Sequence, residues 1–135
     1  MNYTKNLVRV REVMNSRYLI VDGLETVADT VRKMKAANAL AAIIDRRNDD
    51  DEYGLIVAAD IAKQVIATNR APERVNVYEV MSKPLISVHP DMDIRYAARL
   101  FEQFGLNLAP VMESHDTIRG MVAYHDIVME GLLRD

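Results

Sequence analysis

The sequence has no cysteine, and it has only five glycines among 135 residues. Without cysteine there can be no disulfide, no thiolate nucleophile and no cysteine-ligated metal, and this composition is typical of a reducing compartment. Gly23, Gly54 and Gly105 are too far apart to form a phosphate-binding glycine loop. Nor does the sequence place a nucleophile and a base at a recognisable spacing, so an enzyme is disfavoured and no catalytic residue is predicted.

Long apolar runs and a basic charge excess are also missing. No apolar stretch approaches the roughly 20 residues that span a bilayer. The start of the chain, with Lys5 and Arg9 in a polar context, lacks the apolar core of a signal peptide. A net charge of -3 disfavours nucleic-acid binding, because phosphate neutralisation usually requires a basic excess. We expect a cytoplasmic protein that contacts neither membrane nor nucleic acid.

Metal-binding patterns are scarce as well. The three histidines, His89, His115 and His125, are too dispersed for a metal site. The acidic run Asp49–Glu52 lacks the glycine and the alternating spacing of a calcium loop. We interpret it as the solvated tip of a hairpin, and no metal ligand is predicted.

What the sequence does contain is an internal repeat. The stretch GLIVAADI, from Gly54 to Ile61, recurs as GMVAYHDI from Gly120 to Ile127. Earlier in each half, at one constant spacing, Val10, Glu12, Val13, Met14, Val21 and Arg32 recur as Val77, Glu79, Val80, Met81, Val88 and Arg99. Such constancy predicts two copies of one structural unit. We place the first repeat, with an N-terminal segment, at residues 1–68, a linker at 69–76 and the second repeat at 77–135.

Each half predicts the order strand, helix, strand, strand, helix. The first-half elements are an extended stretch from Tyr18 to Val21, a helix capped by Thr26 with the apolar face Val27, Val31 and Met34, strands at about Leu40 to Asp45 and Tyr53 to Ala58, and a helix from Asp60 to Thr68. Their second-half counterparts are the extended stretch Leu85 to Val88, a helix capped by Asp93 and ended by Gly105, strands at about Leu108 to Glu113 and Ile118 to Ala123, and a helix from Asp126 to Leu133. The apolar face of the helix after Asp93 is formed by Ile94, Ala98, Phe101 and Phe104. Tyr96 is also expected in the core.

Asp60 and Asp126 are predicted to be helix N-caps, whose carboxylates accept from free N–H groups of the first turn. A sheet with helices on one face needs cover on its other face, and the second half is the expected cover. The predicted fold is therefore α/β (α+β), with two pseudo-symmetric β-α-β-β-α units packed sheet to sheet.

The ordered series Val-x-x-Val-Met, helix, apolar strand and Gly-h-h-x-x-x-Asp-Ile (h apolar), present twice, resembles a tandem CBS-domain protein, named after cystathionine β-synthase. The resemblance extends from about Val8 to about Leu133. It implies clefts between the CBS repeats that often bind AMP, ADP, ATP or S-adenosylmethionine, with no required cofactor. It also implies a homodimer that regulates a partner protein. Because the two repeats use up the residues, we expect a stand-alone sensor.

In this family the aspartate of the Gly-h-h-x-x-x-Asp motif holds the ribose, since one carboxylate can accept from both the 2′ and 3′ hydroxyls. Asp60 and Asp126 match that position. Three residues earlier the family usually has a serine or threonine that contacts phosphate, whereas this chain has Val57 and Ala123. The resemblance therefore favours ribose recognition over phosphate recognition.

The resemblance also implies that adenine lies between apolar side chains and strand backbone. The expected contacts near Asp126 are Tyr124, His125, Ile86, Ser87, Asn107, Leu108, Ala109 and Pro110. Those expected near Asp60 are Ile20, Ala41 and Ala42. Phosphates would need cations, and Arg17 and Lys83, each shortly after a Val-Met pair, are the candidates at the cleft mouths. Leu108–Val111 is similar to the family's His-Leu-Pro-Val pattern, and the first copy has no proline there. We therefore expect occupancy at Asp126 before Asp60.

Two hypotheses remain open. One is a regulatory module that binds an adenosine compound and modulates an unidentified partner protein, which the paired aspartates favour. The other is a ligand-free homodimerising interaction module, which the missing hydroxyls at Val57 and Ala123 favour. An aspartate that opens a helix is most often only a cap, and replacing such a cap by alanine costs about 1 kcal/mol of stability without affecting binding.

Overall fold

The structure is a computed structural model that describes residues 7–83 and 85–133, so Lys5 lies outside the described residues. The described residues divide into two units. The Asp60 unit contains residues 17–83 and 85, and the Asp126 unit contains residues 7–16 together with 86–133. These packing units divide the chain at other points than the repeat boundaries 1–68 and 77–135, which remain a prediction about the sequence repeat. No helix within the described ranges is long and apolar enough to cross a membrane.

The Asp60 unit is built on a three-stranded sheet. Its strands are β1 (Tyr18–Val21), β2 (Ala41–Ile44) and β3 (Gly54–Val57). They lie in the order β1-β2-β3, with β1 parallel to β2 and β2 antiparallel to β3. Helix α1 (Val27–Ala37) connects β1 to β2, and α2 (Ala58–Ile61) follows β3 and continues as a π-helical turn, Ala62–Ile66. Two 3-10 turns complete the unit, Pro72–Arg74 and Val77–Glu79.

The Asp126 unit is built on a β-hairpin. A 3-10 turn (Val10–Glu12) and helix α3 (Ile94–Phe104) precede the antiparallel strands β4 (Leu108–Ser114) and β5 (Thr117–Ala123). Helix α4 (Tyr124–Asp126) follows β5 directly and continues as a second π-helical turn, Ile127–Gly131. The mixed α/β class predicted from the sequence is confirmed.

The first strand of the second half is reduced to one parallel bridge between Val88 and Val111. The Val88 N–H donates to the Pro110 carbonyl at 3.0 Å, and the Met112 N–H donates to the Val88 carbonyl at 2.9 Å. The next rung of a parallel ladder would need the N–H of residue 110, which proline lacks. The extended stretch that leads to Val88 is thus an edge segment of the hairpin.

The predicted caps of the two long helices are confirmed. The Thr26 side chain accepts from the Asp29 N–H at the start of α1, and the Asp93 carboxylate accepts from the Arg95 N–H at the start of α3. Gly105 ends α3 with a left-handed backbone at φ 66°, which glycine adopts without steric cost.

Each unit has its own buried apolar cluster. Phe101, Val111 and Val122 belong to the cluster of the Asp126 unit, and Ile44 and Ile56 to that of the Asp60 unit.

Three side chains predicted to be core are exposed: Val31, Tyr96 and Phe104 are 40%, 56% and 50% accessible. In their place Thr30 and Ala97 are fully buried. Tyr96 is two positions after Ile94, and 3.6 residues per turn place it on the opposite side of α3.

Candidate functional site

Neither repeated aspartate is the N-cap of its helix. Strand β3 runs directly into α2, so Val57 is the N-cap and Asp60 is the third helical residue; Ala123 and Asp126 have the same positions after β5. Each carboxylate reaches back, with Oδ2 accepting from the N–H of Val57 or Ala123 at 2.9 Å. The N-cap prediction was wrong because no turn residue separates strand from helix. These bonds are the acidic half of a capping box.

Asp126 has a second partner that the sequence did not reveal. Asn15 Nδ2 donates to Asp126 Oδ2 at 2.8 Å, although the two residues are 111 positions apart. The Asn15 backbone is bonded to β5 in both directions, since its N–H donates to the Met121 carbonyl at 2.8 Å and the Met121 N–H donates to its carbonyl at 2.9 Å. A signal that could have found it is the polar residue directly after the repeated Val-Met, which is Asn15 in one copy and Ser82 in the other.

Several predicted residues lie close to Asp126 at one end of the hairpin. Tyr124 and His125 share its short helix, and the Tyr124 N–H donates to the Asn107 carbonyl at 3.0 Å. Leu108 pairs with Ala123 across the hairpin. The Tyr124 ring packs edge-on against Phe101 with centroids 5.0 Å apart, which fixes the wall beside the carboxylate.

The remaining predicted contacts of this site belong to the strand edge. Ala109 and Pro110 are buried, so their side chains are not exposed to a ligand. Ile86 and Ser87 are half-buried and directly precede Val88, whose N–H donates to the Pro110 carbonyl. This segment therefore runs beside β4 near the hairpin end that carries Asn107.

The surroundings of Asp60 are poorer in polar groups. Ala41 pairs with Val57 across the sheet, and both Ala41 and Ala42 are fully buried, while Ile20 is 49% exposed. Within the described ranges, no side chain donates a hydrogen bond to the Asp60 carboxylate.

Arg17 directly precedes β1, at the end of the sheet near Val57. Its guanidinium donates to the Asn38 carbonyl at 3.0 Å and to the Asn38 side-chain oxygen at 3.1 Å. Arg17 is thereby attached to the C-terminal end of α1, where a cation also interacts favourably with the helix dipole.

Lys83 lies at the opposite end of the sheet from Asp60. It donates to Asp51 and lines a cavity of about 550 Å³, together with Gly54 at the start of β3. The hydrogen bonds from Lys83 and Arg47 hold the pKa of the Asp51 carboxyl well below its ordinary value. Lys83 is therefore already paired with a carboxylate.

The chemistry available at Asp126 is hydrogen-bond acceptance. Its Oδ2 already receives two donors, Asn15 Nδ2 and the Ala123 N–H. Its Oδ1 has no partner among the described residues, and a carboxylate oxygen can accept two hydrogen bonds. The site can therefore hold the hydroxyl groups of a ligand, whereas the methyl of Ala123 offers nothing to a phosphate.

Comparison with known proteins agrees with this fold. The CBS-domain family model matches residues 77–132. A hexameric CBS-CP12 protein from bloom-forming cyanobacteria is 33% identical, with a TM-score of 0.88 over 93% of this chain and 68% of that chain. The CBS domain pair of protein MJ0100, solved with 5′-methylthioadenosine and S-adenosyl-L-methionine, has the same fold at 19% identity, with a TM-score of 0.75 over 90% of this chain and 97% of that one.

Among curated relatives, an uncharacterized protein of Methanopyrus kandleri is 25% identical over 121 residues, which are 90% of this chain. The chain spans 61% of that relative's length. The repeat, the fold and the cyanobacterial relative agree, and the chain belongs to the CBS-domain family.

Proposed function

We propose that the chain is a regulatory module that binds an adenosine-containing small molecule at Asp126 and modulates a partner protein. The observation that carries this proposal is the Asp126 carboxylate, which is fixed by two donors on Oδ2 and has Oδ1 available within the described part of the chain. A vicinal diol such as that of ribose donates two hydrogen bonds, and Oδ1 has the capacity to accept both.

The residues expected to bind phosphate are either replaced or already hydrogen-bonded, which favours the adenosine part of the ligand over its phosphates. Val57 and Ala123 stand where the family has a hydroxyl, Arg17 is attached to Asn38, and Lys83 is paired with Asp51. The two ligands of the MJ0100 domain pair, 5′-methylthioadenosine and S-adenosyl-L-methionine, both lack phosphate. We therefore expect S-adenosylmethionine or 5′-methylthioadenosine to bind at least as tightly as AMP, ADP or ATP. In this proposal the adenine lies near Ile86, Ser87 and Leu108.

Isothermal titration calorimetry tests the proposal. Protein freed of small molecules is titrated with AMP, ADP, ATP, S-adenosylmethionine and 5′-methylthioadenosine, and mass spectrometry identifies any compound released from the protein as purified. The expected result is saturable heat with at least one of them. Neither heat nor a thermal shift with any of the five at millimolar concentration would contradict the proposal.

A second candidate, an oligomeric interaction module without a small-molecule ligand, has its own supporting observation. Apolar side chains near the C-terminal end of the Asp126 unit are strongly exposed, with Met129, Leu132 and Leu133 at 65%, 71% and 87%. Large exposed apolar patches often mark interaction surfaces. The cyanobacterial relative is hexameric, and for this chain we expect a homodimer. Equal capture of a partner by the wild type and by the Asp60→Ala, Asp126→Ala double variant would favour this candidate.

A further inference from the structure

We infer that Asn15 is a positioning residue for Asp126 and that it sets how strictly this site selects a ribose over a deoxyribose. The inference rests on the proposed function, because it concerns the same carboxylate. It goes beyond that function because it assigns a role to Asn15, which belongs to the segment before β1 and was not among the predicted contacts.

The hydrogen-bond capacity of the Asp126 carboxylate determines where a ligand hydroxyl can bind. Oδ2 accepts from Asn15 Nδ2 at 2.8 Å and from the Ala123 N–H at 2.9 Å, and these two bonds use its capacity of two. Two donors on one oxygen also fix the plane of the group. A ligand hydroxyl must then approach Oδ1, in a direction that the protein has determined in advance.

The donor, Asn15, belongs to a backbone segment that is held rigidly. The Asn15 backbone forms a two-way bridge with Met121. The residue before Met121 in β5 is a buried glycine, Gly120. A Cβ at Gly120 would lie 2.8 Å from the Asn15 carbonyl oxygen, so only glycine allows this close approach without a shift of the backbone. The same segment is bonded again where the Val10 N–H donates to the Met92 carbonyl at 2.8 Å. The side-chain amide of Asn15 is therefore attached to a backbone segment that several hydrogen bonds hold in place.

The other copy of the repeat has the same backbone bridge and a different set of donors to its aspartate. Ser82 occupies the equivalent place, and its N–H and carbonyl form the same two-way bridge, with Leu55 at 2.8 and 2.9 Å. Among the described residues, however, the Val57 N–H is the one donor to the Asp60 carboxylate. The backbone arrangement is thus repeated, but the side-chain bond is not. A carboxylate held by one bond retains rotation, and rotation lets water replace a missing ligand hydroxyl.

This arrangement predicts a measurable difference in the selectivity for ribose over deoxyribose compounds. A hydroxyl that binds a fixed charged acceptor is worth at least about tenfold in affinity, because hydrogen bonds to charged groups are stronger than neutral ones. When Asn15 is removed, the carboxylate gains freedom and an open acceptor on Oδ2, and the penalty for a missing hydroxyl should fall to about threefold or less. A residue that only anchors its segment would change the affinities for ribose and deoxyribose compounds equally.

The test uses the full chain with Asp60→Ala, so that only the Asp126 site is measured. Dissociation constants are determined for adenosine, 2′-deoxyadenosine and 3′-deoxyadenosine, and the larger of the two deoxy-to-ribo ratios is the readout. We expect a ratio of at least about tenfold in this background and about threefold or less after Asn15→Ala or Asn15→Ser. Ser82→Ala is the matched control, and it should leave the ratio unchanged.

The backbone supports both substitutions, since Asn15 is not among the residues with positive φ and its bridge to Met121 uses main-chain atoms only. An unchanged ratio in Asn15→Ala and Asn15→Ser would overturn the inference while the proposed function stands. Failure of both variants to fold would make Asn15 a structural residue and would also overturn it. No binding of adenosine in the Asp60→Ala background would also overturn the inference. If none of the five compounds titrated above binds in that background either, the proposed function at this site is overturned as well.

Discussion

Asp60 and Asp126 have the same main-chain geometry and different side-chain surroundings. Both are the third residue of a helix that follows a strand directly, and both accept from the N–H three residues earlier. Asp126 also accepts from Asn15. The repeat therefore preserves the position of the carboxylate, whereas the residues that orient it differ between the copies.

The packing behind each aspartate differs in the same way. Phe101 is fully buried and contacts Tyr124 edge-on in the Asp126 unit, where the corresponding positions of the Asp60 unit hold Met34 and Ala58. An aromatic pair has a defined geometry, whereas methionine is flexible and alanine is small. The comparison indicates that the Asp126 site is the more rigidly built of the two.

Substitution of Phe101 in the aromatic pair should lower the stability of the protein more than any other change considered below. Phe101→Ala should lower the free energy of unfolding by about 3 to 5 kcal/mol, because it removes a fully buried ring and leaves a cavity behind Tyr124. Phe101→Met, which copies the other unit, should retain most of the volume and lose about 0.5 to 1.5 kcal/mol from the edge-on contact. Urea unfolding of both variants measures the difference. Equal losses in the two variants would show that the ring geometry is unimportant.

Gly54 and Gly120, which are buried at equivalent positions of the two repeats, test how closely the segments around Met81 and Asn15 approach the strands. A Cβ at Gly120 would meet a backbone atom, the Asn15 carbonyl oxygen, at 2.8 Å, whereas a Cβ at Gly54 would meet the Met81 Sδ at 2.5 Å. A thioether can rotate away and a bonded carbonyl cannot, so Gly120→Ala should cost about 1 to 3 kcal/mol and Gly54→Ala less. Thermal unfolding of the two variants shows which one loses more stability. A larger loss of stability in Gly54→Ala than in Gly120→Ala would contradict the prediction.

The smallest expected effect concerns the helix caps. Asp93 caps α3 and Thr26 caps α1, so one cap is ionisable and the other is not. Hydrogen bonding from Arg95 lowers the pKa of Asp93 below its ordinary value of 3.8. A lowered pKa means that the stabilisation is complete above pH 3.8 and is lost as the pH falls through the folded-state value.

Asp93→Asn should therefore lower the free energy of unfolding by at most about 1 kcal/mol at pH 7. The difference in this free energy between the variant and the wild type should become smaller below pH 3.8. Thr26→Ala is the control, with a loss of about 1 kcal/mol that does not depend on pH. Urea unfolding at a series of pH values gives both curves. A constant gap between Asp93→Asn and the wild type down to the lowest pH would refute the role of the charge.

Much of the fold could be predicted from the sequence because the repeat, the apolar strands and the caps are local signals. Thr26, Asp93 and Gly105 were identified by residue type and spacing, and the structure confirms them. The edge segment before Val88 was harder, since its shortening depends on a proline in a neighbouring strand, Pro110.

The candidate site was less accessible to prediction. The two aspartates could be located, but their place at the third helical position depends on whether a turn follows the strand, which residue types do not specify. The polar residue after the repeated Val-Met marks Asn15 as a position of interest, but its bond to Asp126 could not be predicted, because the two residues are 111 positions apart and, among the described residues, Ser82 makes no equivalent bond. Long-range side-chain contacts that differ between repeats leave no periodic signal in a single sequence.

Calorimetric titration of two single variants determines which of the two aspartates holds the ligand. Asp126→Ala should weaken the binding of the adenosine compound that the wild type prefers by at least tenfold, because a hydrogen bond to a charged acceptor is worth roughly 1.5 to 3 kcal/mol. Asp60→Ala should weaken it less, and the heat that remains should report the Asp126 site. The reverse order of losses, or equal binding in Asp126→Ala and the wild type, would contradict the assignment of the ligand site to Asp126.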